Sequence, residues 1–332
     1  MIDFLILKNR LIQNIKTLWR NKFLLLKIFK VYFNKFFLKK NFIRLVEIAI
    51  GYKCNASCKQ CSCAYSLDRK RRRLTLNQLK RLIDDSIKLG AFQFNITGGE
   101  PLLYSNEVYE LVKYIRKKRC YVHICTNAKL LSGRVLNHLK KLGVNSLEFG
   151  LDSAKEKIHD ANRGKGFYKK VMEATKIAKN LGIEVIWNTI ITHEKIKNGD
   201  LLDLVNLAKK RNVLLQITPP CVMGRWSKKR EILLKNKEKI FFKKLLTYSH
   251  VRTDTFSRLL GIGCSAGIEK FAVNPYGDIL PCSLIQVSYG NFLKEPLEKI
   301  QKKILKNPFY GRSRGVLSCL PSFNIKFINK YL

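Results

Sequence analysis

Six short apolar runs, each followed by a helical stretch, leave few folds open to the middle of this chain. The runs Leu45–Ile50, Phe92–Thr97, Val122–Thr126, Ser146–Leu151, Glu184–Ile190 and Leu214–Thr218 have the β-branched content and alternation of strands. Between them, Thr75–Lys88, Ser105–Lys117 and Phe167–Leu181 read as helices, with Thr75 placed as an N-cap. Regular strand–helix alternation predicts an α/β protein with a parallel sheet whose strand ends gather on one face. Chemistry is expected at that face, where α/β barrels place it. The 332 residues have room for one large domain and a smaller extension.

Three cysteines follow the first strand directly. Cys54, Cys58 and Cys61 stand at a C-x3-C-x2-C spacing. Thiolates this close in sequence can converge on one soft metal centre; four would close a zinc or iron–sulfur site, and three leave a position open. A zinc knuckle or buried thiols fits the bare string as well. The second strand then runs into Gly98-Gly99-Glu100-Pro101. The two motifs together, each on a strand end, resemble the signature of the radical S-adenosylmethionine (radical SAM) family. That resemblance implies a partial (β/α)6 TIM-like barrel, which the six units fit. It also implies a [4Fe–4S] cluster on the three thiolates and S-adenosylmethionine on the fourth iron. The Gly98–Pro101 backbone would receive the methionine amino group, and glycine lets a backbone approach a ligand closely. The implied reaction is reductive cleavage of S-adenosylmethionine, with hydrogen taken from an unactivated carbon and electrons from a donor such as flavodoxin or ferredoxin.

Further cofactor contacts are expected at later strand ends. Thr126 and Asn127 close the third strand, Ser153 follows the fourth, and Asn188 ends the fifth. Small hydroxyls and amides of this kind suit ribose or carboxylate contacts, and equally suit turns and caps. The stretch His159–Gly164 is similar to the HDxxRG of many relatives, and its Arg163 has the fork to pair with a carboxylate. In one departure, the position before the third cysteine, often aromatic in the family, is Gln60. Met223-Gly224-Arg225-Trp226 looks like the loop that leaves the sixth strand.

The last third holds a second group of cysteines. Cys264 and Cys282 flank a hairpin signalled by the turn Asn274-Pro275-Tyr276-Gly277. The spacing Cys264-x12-Gly277-x4-Cys282 resembles the opening of SPASM and twitch extensions, which implies a second [4Fe–4S] cluster. The cysteine-dense tail of a full SPASM domain is absent and Cys319 alone follows, so the expected ligands are Cys264, Cys282 and Cys319. A hairpin kept as scaffold without a cluster is the alternative. Cys120, Cys125 and Cys221 read as buried strand or loop thiols, and Cys63 as a neighbour of the first motif. Relatives with such an extension often modify peptides or proteins.

The formal charge of +40 admits an anionic membrane or nucleic-acid partner, or a lysine-rich habit spread over solvated faces. Nucleic-acid binding is disfavoured, because it leaves both strand-end motifs without a purpose. Residues 1–44 form the first unit, two amphipathic helices with 11 Lys and Arg against one Asp. Phe4, Leu7, Leu11, Ile15 and Leu18 share one face of the first helix, with Arg10, Gln13, Thr17 and Arg20 opposite. In the second, Leu25, Phe29, Tyr32, Phe33, Phe36 and Phe37 form a stripe against Lys27, Lys30, Asn34 and Lys35. Such a segment suits a membrane interface, and with it a lipid or isoprenoid substrate. It also suits a cap on the barrel, which would bury those phenylalanines, or a partner chain. The other units are a core at 45–226, a helical connector at 227–262 and the extension at 263–332. No uncharged apolar run reaches the length of a membrane span and no secretory leader is evident. A reducing cytoplasm, including its inner membrane face, is the expected compartment.

Overall fold

The computed structural model describes residues 2–37, 42–254, 263–310 and 315–332, with the side chains of 34–36 left out; the expected roles of Asn34, Lys35 and Phe36 and the end of the connector lie outside the described residues. It opens with α1 (Ile2–Arg20) and α2 (Phe23–Phe37). Six strand–helix units follow. They are β1 (Leu45–Ala49) with α3 (Leu76–Lys88), β2 (Gln93–Thr97) with α4 (Ser105–Lys117), and β3 (Tyr121–Thr126) with α5 (Gly133–Lys141). Next come β4 (Ser146–Gly150) with α6 (Glu156–Arg163) and α7 (Phe167–Asn180), then β5 (Glu184–Ile190) with α8 (His193–Lys197) and α9 (Asp200–Arg211). β6 (Leu214–Thr218) and α10 (Asn236–Leu245) complete the six. After β7 (Val251–Arg252) come the hairpin β8 (Lys270–Val273) and β9 (Ile279–Leu280), then α11 (Leu297–Lys306), α12 (Leu320–Phe323) and α13 (Ile325–Tyr331).

The sheet runs β7-β6-β5-β4-β3-β2-β1-β8-β9, parallel throughout except for the antiparallel β8–β9 pair. Three strands, β7 on one side and the β8–β9 hairpin on the other, extend the expected six. β7 is too short to carry a periodic signal and lies where only helix was expected. β8 places the C-terminal hairpin directly beside β1, so the extension continues the barrel wall.

Alternation explains the layers. Val46, Ile48, Phe94, Ile96, Val122 and Ile124 point outward and are fully buried under the helices. Full burial of one such side chain contributes about 1.5–3 kcal/mol. The helices answer with faces such as Leu79, Leu82 and Ile83 on α3 and Val108, Leu111, Val112 and Ile115 on α4. Thr75 caps α3 as expected, in a reciprocal box with Gln78. The intervening strand residues point the other way and are mostly polar. Glu47, Asn95, His123, Glu148, Asn188 and Gln216 line one cavity of about 360 Å³. Because six strands share that cavity, the sheet is curved into a partial barrel.

α1 and α2 cover the end of the lumen where the strands begin. Arg10, Asn14 and Thr17 line the cavity beside Leu45, Gln93 and Ser146. The docked face of α1 is its polar one: Asn9 donates to the Thr247 carbonyl, Gln13 to those of Ser249 and Val251, and Arg10 to that of Thr253. The cap expectation therefore holds for position but not for orientation, since Phe4, Leu11, Ile15, Phe29 and Phe33 are exposed.

Candidate active site

β1 ends at Ala49, and the cysteine loop begins two residues later. The segment after β2 holds that loop down. Gly99 N donates to the Gly51 carbonyl at 2.8 Å and Glu100 N to that of Lys53 at 2.9 Å. A Cβ on Gly98, whose φ is +138°, would stand 2.3 Å from Gly51 O; one on Gly99 would stand 2.4 Å from Lys53 O. The glycines are thus required first by the packing of two loops. Cys63 donates to the Gly98 carbonyl at 3.4 Å, and burial pushes its thiol up to about 12. It is a packing neighbour of the motif.

Glu100 organises the next strand end. Its buried carboxylate accepts from Leu102 N, from the Thr126 hydroxyl at 2.7 Å and from Asn127 N at 2.8 Å. Burial raises its pKa despite those three donors. Thr126 is therefore engaged inside the fold. The Asn127 amide reaches the cysteine loop, 2.7 Å from Asn55 Oδ1 and 3.8 Å from Cys54 Sγ. Pro101 opens the short helical turn that follows, and it is buried.

The loop's other flank is held by α6. Asn162 accepts from Lys59 N at 2.9 Å and donates to the Gln60 side chain and to Asp152 at 2.6 Å each. Gln60 is thus part of a polar clamp. Arg163 forms a fork on Asp152, at 2.7 and 3.0 Å, and packs flat against Gly150. Burial would raise Asp152, but the Arg163 charge outweighs it and holds the carboxyl well below its usual range. Ser153 is buried and donates to Asp200, away from the loop. Asn188 lies in the lumen, donating to Glu148 and accepting from Thr218.

The donor set tests what the three thiols hold. Tetrahedral zinc, with Zn–S of about 2.3 Å, sets its thiolates about 3.8 Å apart. Among the described residues one His/Cys/Asp/Glu trio has donor atoms within 4.8 Å of one another, and it is His123, Cys125 and Glu148. Cys54, Cys58 and Cys61 do not all lie within that reach of one another, so they are not a preset single-ion site. Burial raises Cys58, while the Arg163 guanidinium opposes it in favour of the thiolate.

A second group of thiols collects at the edge of the barrel. Ser322 Oγ lies 3.1 Å from Cys221 Sγ and 3.4 Å from Cys319 Sγ. Cys319 lies close enough to Cys264, and Cys264 to Cys282, for each charge to raise its neighbour's pKa. Burial pushes Cys264 up to about 11, and the buried Lys270 ammonium pulls against that shift. Cys221 is buried, as expected of a loop thiol, and packs beside Cys319. The hairpin turn is as expected, with Asn274 Oδ1 accepting from Tyr276 N and Asp278 N.

Sequence reasoning also passed over the lumen floor. His123 lies 2.6 Å from Ser146 Oγ and 3.5 Å from Glu148, which accepts from Gln216 as well. Burial raises Glu148, but bonds from His123 and Asn188 leave it lowered on balance. Arg10 enters from α1, pulled down to about 9 by burial and by Arg252 and Arg44. Strand alternation carried this pattern, but polar inward residues have no motif to mark them.

Residues 48–208 match the Radical SAM superfamily model. Mycofactocin maturase MftC of Mycolicibacterium smegmatis is 27% identical over 248 residues, covering 70% of this chain and 62% of that protein. The antilisterial bacteriocin subtilosin biosynthesis protein AlbA of Bacillus subtilis is 25% identical over 265 residues, covering 76% and 58%. The chain thus spans about six-tenths of the length of these relatives. Streptococcus suis SuiB bound to S-adenosylmethionine has the same fold, with a TM-score of 0.65 at 18% identity over 85% of this chain and 72% of SuiB. SuiB is also solved with its precursor peptide SuiA, at a TM-score of 0.61, 18% identity and coverage of 82% and 66%.

Proposed function

We propose that this chain, whose residues 48–208 match the Radical SAM superfamily, is an enzyme that uses a [4Fe–4S] cluster and S-adenosylmethionine to modify a peptide or protein at an unactivated carbon. One observation carries the reading. The three-thiol loop is clamped on two sides, by Gly98–Glu100 and by Asn162, at the strand end above a polar lumen of about 360 Å³. The cluster and S-adenosylmethionine, when bound, would supply reductive cleavage and hydrogen abstraction. Cys54, Cys58 and Cys61 would hold the cluster, and the backbone of Gly98–Pro101 with Asn127 would border the S-adenosylmethionine. Arg163, fixed by Asp152, stabilises thiolate charge at Cys58. The substrate group enters the lumen, where Glu148, His123 and Asn188 orient it and the α1–α2 cap excludes water.

Peptide chemistry is supported by the relatives, among them AlbA of bacteriocin biosynthesis and SuiB with its precursor peptide. Cys221, Cys264, Cys282 and Cys319 hold a second cluster in this reading, completing four-thiolate coordination. An electron donor of the flavodoxin or ferredoxin kind reduces the enzyme. A lipid or isoprenoid substrate is the second reading, favoured by the exposed apolar arcs of α1 and α2.

Anaerobic reconstitution followed by dithionite tests the core of the proposal. Wild type should release 5′-deoxyadenosine, and the Cys54→Ala/Cys58→Ala/Cys61→Ala variant should release none while keeping about four irons in the second site. Release by that variant overturns the first-site assignment. Deuterium entering 5′-deoxyadenosine from perdeuterated peptide, rather than lipid, decides between the substrates.

A further inference from the structure

The outward surface of α1 and α2 is the least expected part of the molecule. At 100° per residue, Phe4, Leu11, Ile15 and Trp19 fall on one arc of α1, opposite the docked Ile6, Asn9 and Gln13. On α2, Leu26, Phe29 and Phe33 likewise face away from buried Leu24 and Val31. The exposures are large: 73% for Phe4, 70% for Trp19, 79% for Leu26 and 71% for Phe29. Phe29, Phe33 and Phe37 form a continuous aromatic row, with ring centroids 6.2 and 4.6 Å apart. A soluble surface rarely keeps so much contiguous apolar area uncovered.

Charge identifies what covers it. Lys8, Lys16, Lys22 and Lys30 are exposed beside or within these arcs. The single acid of the segment, Asp3, faces Lys243 at 3.4 Å. A second copy on this face would bring those cations against their own images. An anionic bilayer matches both components, with apolar rings in the acyl boundary and cations among the headgroups. We propose that the α1–α2 surface seats the protein on an anionic membrane, with the barrel's strand-start end toward the lipid. The cap and the membrane anchor are then the two faces of one element. This inference is independent of the substrate, since a peptide enzyme seated on a membrane works equally well.

The reconstituted full-length protein is mixed with phosphatidylcholine vesicles, with and without phosphatidylglycerol, and sedimented. It should pellet with the anionic vesicles, and Trp19 emission should shift to the blue, a shift lost in Trp19→Phe. Replacing Phe4, Phe29 and Phe33 together by Ser should weaken binding at least about tenfold. These side chains contact neither thiol group, so 5′-deoxyadenosine release without substrate should be unchanged. Raising salt to about 0.5 M should release part of the bound protein, because screening removes the lysine contribution and leaves the aromatic one. Failure to pellet with anionic vesicles overturns the proposal, as does pelleting that survives the serine substitutions. A dimer in light scattering that the same substitutions abolish also overturns it, by assigning the surface to a second copy.

Discussion

Glu100 shows how one side chain can determine a site without touching its chemistry. It accepts from three donors, Leu102 N, Thr126 Oγ1 and Asn127 N, and so ties β2 to the end of β3 beneath the cysteine loop. Glu100→Gln keeps the shape but turns an amide N–H against one of those donors. A stability loss of about 1–3 kcal/mol is expected, read as a lower unfolding temperature, together with weaker iron retention although every cysteine remains. An unchanged unfolding temperature would remove Glu100 from this role. His159 makes a pH prediction. Its Nδ1 accepts from Asp152 N, and burial, then the Arg163 charge, lower its pKa from 6.5 to about 4. The unfolded chain therefore binds a proton first as pH falls. The stability that neutral His159 supports is full above about pH 6.5 and is lost toward pH 4, at up to about 1.4 kcal/mol per unit. Thermal unfolding of the cluster-free chain between pH 7.5 and 5 should show this slope, and His159→Gln, which keeps the acceptor, should flatten it.

At the scale of elements, periodicity made the barrel legible and left the cap ambiguous. Glu184–Ile190 and Leu214–Thr218 fold over the residues their alternation marks, and Ser105–Lys117 is helical over its whole length. The two clamping motifs were readable too, because each lies within a few residues of a strand end. An amphipathic helix, in contrast, has two faces, and its pattern does not say which one meets the protein. On α1 hydrogen bonds decided, since the carbonyls around β7 needed donors that Asn9 and Gln13 provide. Cys221 stayed hidden for a different reason. The contact with Cys319 spans 98 residues, and no local spacing encodes it. The polar latch is testable. Asn9→Leu with Gln13→Leu removes these donors from the carbonyls of Thr247, Ser249 and Val251, of which the Val251 bond is buried and costs about 1–3 kcal/mol to lose. Hydrogen exchange in α1 and around Val251 should accelerate in this variant while exchange in β2 stays slow. Equal protection in both proteins would mean that other contacts hold the helix.

Across the whole molecule, the segment leaving β6 joins the two thiol groups. Cys221 packs beside Cys319, and three residues on, Gly224 meets the cysteine loop. Arg225 N donates to the Cys61 carbonyl at 3.0 Å, and a Cβ on Gly224 would stand 2.2 Å from that same oxygen. Gly224 also has φ of +57°, a conformation that favours glycine. In Gly224→Ala the backbone of Cys61 and Ser62 must move, because the obstructing atoms are backbone and not a flexible side-chain tip. The first cluster should then be lost or labile while the second survives, taking iron from about eight to about four per chain. Cys221→Ala should do the opposite, weakening the second cluster and sparing 5′-deoxyadenosine release without substrate. Iron analysis and electron paramagnetic resonance of the two reduced variants would resolve the two signals separately. If both variants lose the same signal, the thiols serve one centre and the two-site arrangement is wrong; if Gly224→Ala keeps full iron and full cleavage, the segment does not hold the cysteine loop.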